Sequence, residues 1–192
     1  MSKDDRRQAL VQAAFNEIAE RGFEGLRTRE VAAEVGVNIA TLHYYFPTKE
    51  ALIRGVVDLA MERFRSTLAP AGSPADQLRN HLRAVRRLLR DEPRLGTVMA
   101  ELALRSARDP GLAEILRETT GYWHRTVRAL LRHAVAGGNL RPDLDSDDVA
   151  AAVIAVLTSM TLPAAGADRA DRADQSLRQL ERWLGIAPPA TD

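Results

Sequence analysis

The chain has 192 residues, no cysteine and a formal net charge of +1, with hydrophobic residues making up 45%, enough for one substantial core or for a small head on a larger body. The missing cysteines exclude disulfides and thiolate metal sites, and the near-neutral charge does not announce nucleic-acid binding. The charged opening MSKDDRRQ is no apolar leader, and the most apolar segment, Val149 to Leu162, contains Thr158 and Ser159 and falls short of the roughly 18 to 20 residues of a membrane span. A cytoplasmic protein with no membrane partner is expected, with that segment as a buried helix.

The most informative stretch is TREVAAEVGVNIATLHYYFPTKE, residues 28–50. Thr28 is placed to cap a short helix over Arg29 to Glu34, and Gly36 ends it because glycine tolerates positive φ. A second helix starts near Asn38 and stops before Pro47. Val31, Val35, Val37, Leu42 and Tyr45 are the apolar positions, and Ala32 is small where two helices must approach. These are the demands of a helix-turn-helix, although an ordinary helical hairpin also satisfies them. Thr48 then caps a third helix. Lys49 sits in its first turn, against the helix dipole, and is one of only two lysines, the other being Lys3. An external anion such as a phosphate explains it best.

Glu20-Arg21-Gly22-Phe23, Thr28-Arg29-Glu30-Val31-Ala32, Gly36-Val37, Thr41-Leu42 and Tyr45-Phe46-Pro47-Thr48-Lys49-Glu50-Ala51-Leu52 follow in order and spacing the pattern of the TetR family of transcriptional regulators, which the chain resembles over Leu10 to Val56. The resemblance implies an all-α fold: a three-helix DNA-binding head (residues 1–50) on a larger helical ligand-binding and dimerisation body (residues 51–192). It also implies that Arg29, Asn38, Ile39, Ala40 and His43 meet bases and that Thr28, Thr41, Tyr44, Tyr45 and Lys49 hold phosphates. Position 43 is commonly tyrosine in the family and is histidine here. His43 can donate to guanine or a phosphate, or stay exposed without a base contact. Ile39 or Ala40 would touch a thymine methyl or a sugar, since neither reads a donor or acceptor. Tyr45 is expected to pack its ring and offer only its hydroxyl. Within residues 1–55 eight Lys/Arg are cancelled by eight Asp/Glu, so any electrostatic footprint needs Arg6, Arg7, Arg27, Arg29 and Lys49 to share a face.

The third helix is expected to continue through Phe64 and Leu68. Pro74 opens the next, striped by Leu78, Leu82, Val85 and Leu89, and Asp91-Glu92-Pro93 ends it. A shorter apolar segment spans Leu95 to Leu104. Asp109-Pro110 caps a long helix with Leu112, Leu116, Thr119, Trp123, Val127, Leu130 and Ala134 on one face, stopped by Gly137-Gly138. Ser146-Asp147-Asp148 cap Val149 to Leu162, closed by Pro163. Residues 166–172 read as a charged, mobile linker before an amphipathic helix with Leu177, Leu180 and Leu184, and Ala187-Pro188-Pro189 as a frayed tail.

The last two helices carry more apolar face than the body needs, which predicts a homodimer through a four-helix bundle, unless that face only closes the monomer core. A dimer would hold two heads about 34 to 36 Å apart on a double-stranded, pseudo-palindromic operator. A small-molecule effector is expected among the helices from Thr48 to Ala136, where His81, Met99, Glu101, Tyr122, Trp123 and His124 interrupt the apolar surfaces. Trp123 lies on the stripe and suits a core, while Tyr122 and His124 face elsewhere. By wedging there, the effector would move the heads apart, provided it binds the displaced state better. The chain lacks H-E-x-x-H, G-x-S-x-G and di-iron carboxylate-x-x-His pairs, so no enzyme, cofactor or metal is expected. A helical ligand- or partner-binding protein without DNA affinity is the alternative, kept open by the neutral head.

Overall fold

A computed structural model describes residues 2–161 and 167–186, whose regular elements are helices with no strand among them. The helices are α1 (Lys3–Arg21), α2 (Thr28–Glu34), α3 (Ile39–Tyr45), α4 (Lys49–Arg65), α5 (Pro74–Asp91), α6 (Pro93–Ser106), α7 (Pro110–Ala136), α8 (Ser146–Thr161) and α9 (Ala167–Trp183), with a 3₁₀ turn at Phe23–Gly25. Compactness divides the chain into residues 1–63 with 93–117, and residues 64–92 with 118–192.

In the first unit α1 packs against α2, the 3₁₀ turn and α6, and α2 packs against α3. Its buried side chains include Leu10, Phe15, Ile18, Val31, Leu42, Phe46, Leu52 and Val56, joined by Leu95, Val98 and Leu102 of α6. Gly55 lets α4 approach closely: a Cβ there would lie 2.9 Å from Val11 Cγ2 and 3.3 Å from the Phe46 ring. Helix α1 starts at a capping box, in which Ser2 Oγ accepts from Asp5 N and the Asp5 carboxylate accepts from Ser2 N. In the second unit one core joins Leu78 and Leu82 of α5, Val127, Leu131 and Ala134 of α7, Ala150 and Val153 of α8, and Leu177, Leu180 and Leu184 of α9. Arg86 of α5 pairs with Asp174 of α9, and the buried Glu181 lies 3.6 Å from Arg83.

Several local signals act as read: Pro74 stands in the first turn of α5, Thr48 Oγ1 accepts from Ala51 N, and Asp109 Oδ1 accepts from Leu112 N. A capping box of Ser73 and Asp76, not singled out in the sequence, closes the start of α5. Others need correction. Arg27, not Thr28, occupies the N-cap of α2, and no side chain caps that helix. Helix α4 ends at Arg65, short of Leu68, because the Thr67 hydroxyl and N–H both return to Phe64 O and tighten the last turn. On α7 Leu112, Trp123, Val127 and Ala134 are buried as expected, but Ile115 and Leu131 take the places expected of Leu116 and Leu130, which are only half-buried. Asp145, one residue before the expected cap, serves α8 by accepting from the N–H groups of Asp147 and Asp148. That helix is not buried: only Ala150 and Val153 are covered, while Ala151, Ala152 and Ala155 are exposed. Residues 167–172 belong to α9 rather than to a linker, since alternating alanine and charge suits a helix. Leu162, Pro163, Gly166 and the tail Ala187-Pro188-Pro189 lie outside the described residues.

Candidate nucleic-acid interface

Helices α2 and α3 are joined by a tight turn at Gly36, where φ is +71° and Val37 N–H returns to Ala32 O at 2.9 Å. Helix α3 has seven residues, too few to persist alone. It is held by two buried anchors, Leu42 and the following Phe46, and by its cap. Asn38 Oδ1 accepts from Thr41 N at 2.8 Å and from the Thr41 hydroxyl at 2.9 Å. With one face so anchored, the rest of α3 points outward: Asn38, Ala40, His43 and Tyr44 are exposed, and Ile39, Thr41 and Tyr45 half-buried. Tyr44 is 69% exposed, large for an aromatic ring. Its edge meets the Tyr45 ring at 5.2 Å.

The other residues implicated by resemblance lie in the same unit. Arg29 is exposed on α2 without an ion pair among the described residues, and Thr28 is half-buried. Lys49 is half-buried, its Nζ 4.9 Å from the Phe23 ring centroid, so part of the reason for a cation in that turn is internal. Of the cations expected to share a face, Arg27 donates to Glu24 O, and Arg7 lies over the Phe46 ring at 5.1 Å. Lys3 went unread as a site residue. Its Nζ lies 5.3 Å from the Tyr44 centroid, and a hydrogen bond to Tyr44 raises its pKa. Nothing local in the sequence places residue 3 beside residue 44.

The expected sensor residues separate. His81 and Trp123 meet in the second unit, their rings stacked at 5.2 Å and 8°, with Phe64 and Tyr122 edge-on to Trp123. Both His81 and Trp123 are core residues. Tyr122, 44% exposed, lines an open groove of about 490 Å³ with Leu68, Pro70, Arg125, Leu130 and His133. His124 is half-buried. Met99 is half-buried on α6 of the first unit, and Glu101, also there, accepts from Phe23 N at 2.9 Å. Among the described residues no group of three or more His, Cys, Asp or Glu could hold a metal, and no helix is long and apolar enough to cross a membrane.

Residues 10–56 match the family profile described as bacterial regulatory proteins, tetR family, and residues 68–180 match that of the tetracyclin repressor-like C-terminal domain. The HTH-type transcriptional regulator RutR of Escherichia coli K12 is 27% identical over 147 residues, which cover 71% of this chain and 65% of RutR, so the chain spans somewhat less than two thirds of that relative. The HTH-type transcriptional repressor KstR2 of Mycolicibacterium smegmatis is 27% identical over 147 residues, covering 74% and 71%. A TetR transcription regulator from Haloarcula marismortui superposes with a TM-score of 0.84 at 19% identity over 96% of this chain and 98% of its own, a likeness of fold.

Proposed function

The chain belongs to the TetR family of bacterial regulatory proteins, and from that premise we propose that it is a ligand-responsive repressor that binds a pseudo-palindromic operator as a homodimer and is released by a small molecule. Residues 1–50 form its DNA-binding domain and residues 51–192 its ligand-binding and dimerisation domain. The observation that carries the reading is α3 itself, capped by Asn38, anchored by Leu42 and Phe46, with Asn38, Ala40, His43 and Tyr44 open to solvent. A short rigid helix presenting Asn38, Ile39, Ala40 and His43 suits a major groove. Arg29 joins them at base edges, and Thr28, Thr41, Tyr44, Tyr45 and Lys49 hold the backbone. Thr41 must turn its hydroxyl from Asn38 Oδ1 to donate to a phosphate.

Dimerisation is supported by α8, whose Ala151, Ala152 and Ala155 are exposed beside half-buried Ile154, Leu157 and Met160. Small residues on an otherwise apolar helix let a second copy come close. Repression is supported by KstR2, a relative named as a repressor. The test is fluorescence anisotropy with duplex fragments from around the chain's own gene, repeated across salt. Binding that weakens with salt and is reduced by Lys49→Ala with Thr41→Ala is expected. Absence of binding at low salt would favour a helical ligand- or partner-binding protein without DNA affinity.

A further inference from the structure

We propose that Phe23 and Glu101 are positioning residues for Lys49 as a phosphate contact: Glu101 fixes the backbone of Phe23, and the Phe23 ring fixes the ammonium of Lys49. The inference rests on the DNA-binding function proposed above. Lys49 stands in the first turn of α4, where the helix dipole opposes a cation. No carboxylate among the described residues pairs with it, and its ammonium lies over the Phe23 ring, at 4.9 Å from Nζ to the centroid. At that distance the ring quadrupole attracts the ammonium. A ring covers only one side of an ammonium that carries three N–H donors, so donors remain for an anion.

Phe23 is itself held. It is 5% exposed, and its N–H donates to Glu101 Oε2 at 2.9 Å across 78 positions of sequence. Gly22 makes the approach possible. Its φ is +72°, which L side chains rarely adopt, and a Cβ there would lie 3.1 Å from Glu101 Oε2. One turn along α6, Arg105 pairs with Glu24 at 2.8 Å and lies over the same ring at 5.2 Å, while Arg94 pairs with Glu20 at 2.9 Å. These contacts bind α6 to the end of α1 and the turn after it, all within one compact unit. A lysine restrained in this way loses less side-chain freedom when it meets a phosphate.

The chain's two lysines make the test direct. With ¹³C-labelled lysine, the free protein gives two side-chain ε-methylene signals, and Lys49 carries a ring-current shift from Phe23. Glu101→Ala and Phe23→Leu are expected to remove that shift, and Glu101→Gln, which keeps an acceptor oxygen, to retain it. The Lys3 signal beside Tyr44 stays in place and reports an intact head. In anisotropy titrations, Glu101→Ala and Phe23→Leu are expected to weaken duplex binding about threefold per head, the size of an exposed cation–π contact. In a Lys49→Ala background neither should weaken it further. An unmoved Lys49 signal in Glu101→Ala overturns the proposal, as does equal weakening with and without Lys49. Wild-type protein that does not bind duplex DNA, with the Lys49 shift present and lost on Glu101→Ala, overturns the DNA-binding function instead and leaves the positioning of Lys49 established.

Discussion

His81 makes the stability of this protein pH-dependent in a way that can be worked out from its hydrogen bonds. The Thr67 hydroxyl has one proton, donated to Phe64 O at 2.6 Å, so the 2.8 Å bond between Thr67 Oγ1 and His81 Nδ1 must be donated by the imidazole. Nε2 is then a bare acceptor, buried, without a partner among the described residues, on a ring 1% exposed and stacked on Trp123. Protonating it would bury an unpaired charge, and burial, opposed only in part by the bond at Thr67, lowers the pKa from 6.5 to about 4. Above 6.5 neither folded nor unfolded chain binds this proton, and the stability is fully present. As pH falls from 6.5 to about 4, only the unfolded chain takes it up, so stability is lost across that window and is flat below. The full loss is about 3 kcal/mol at 1.36 kcal/mol per unit, and about 2 kcal/mol of it falls between about pH 7.5 and about pH 5. Urea unfolding of wild type and His81→Phe at these two pH values, at one protein concentration, isolates the effect from the carboxylates common to both. Wild type should lose about 2 kcal/mol more than the variant on acidification. Equal losses would refute the assignment of a bare, buried Nε2.

Further outcomes follow from other contacts. Gly55→Ala gains about 1 kcal/mol of helix propensity, but its methyl would sit 2.9 Å from Val11 Cγ2, and overpacking of about 1 to 3 kcal/mol outweighs it; thermal unfolding should register a net destabilisation. Asn38→Ala removes the α3 cap and should cost about 1 kcal/mol in chemical denaturation, with a larger fractional loss of duplex binding than of stability. Lys49→Ala should reduce the slope of log affinity against log salt by about 1.8 for the dimer on its operator, two phosphates at about 0.9 each. Ala155→Arg on the exposed face of α8 should yield single copies in analytical ultracentrifugation and weaken binding to a two-half-site operator far more than to one half-site.

Features written locally in the chain were legible. Thr48 and Asp109 cap the helices they precede because each needs only its own next three residues. Ser73 with Asp76, not singled out in the sequence, forms a capping box just as local. Ser2 with Asp5 carries the same signature and opens α1, which the sequence reading took only from resemblance. The failures have two physical origins. In a helix as long as α7, spacings of three and four leave adjacent leucines equally eligible for the stripe, and packing alone selects Ile115 and Leu131 over Leu116 and Leu130. Glu101 looked like a polar interruption of a sensor surface, but its partner is a backbone N–H 78 residues away, and no periodicity carries that information. At the candidate interface, outward placement of α3 was readable from Leu42 and Tyr45 as its inward apolar positions, of which Leu42 is buried and Tyr45 half-buried, whereas the rings that gather Lys3, Arg7 and Lys49 were not readable.

The two hydrogen bonds that Asn38 Oδ1 accepts, from the N–H and the hydroxyl of Thr41, have a calorimetric consequence. Since the first turn of α3 is already closed in the free chain, docking requires no coil-to-helix transition of that segment. The heat-capacity change of association should therefore track the contact area removed from water alone, without the excess that accompanies coupled folding. Encounter should likewise proceed at a rate limited by orientation and charge rather than by ordering.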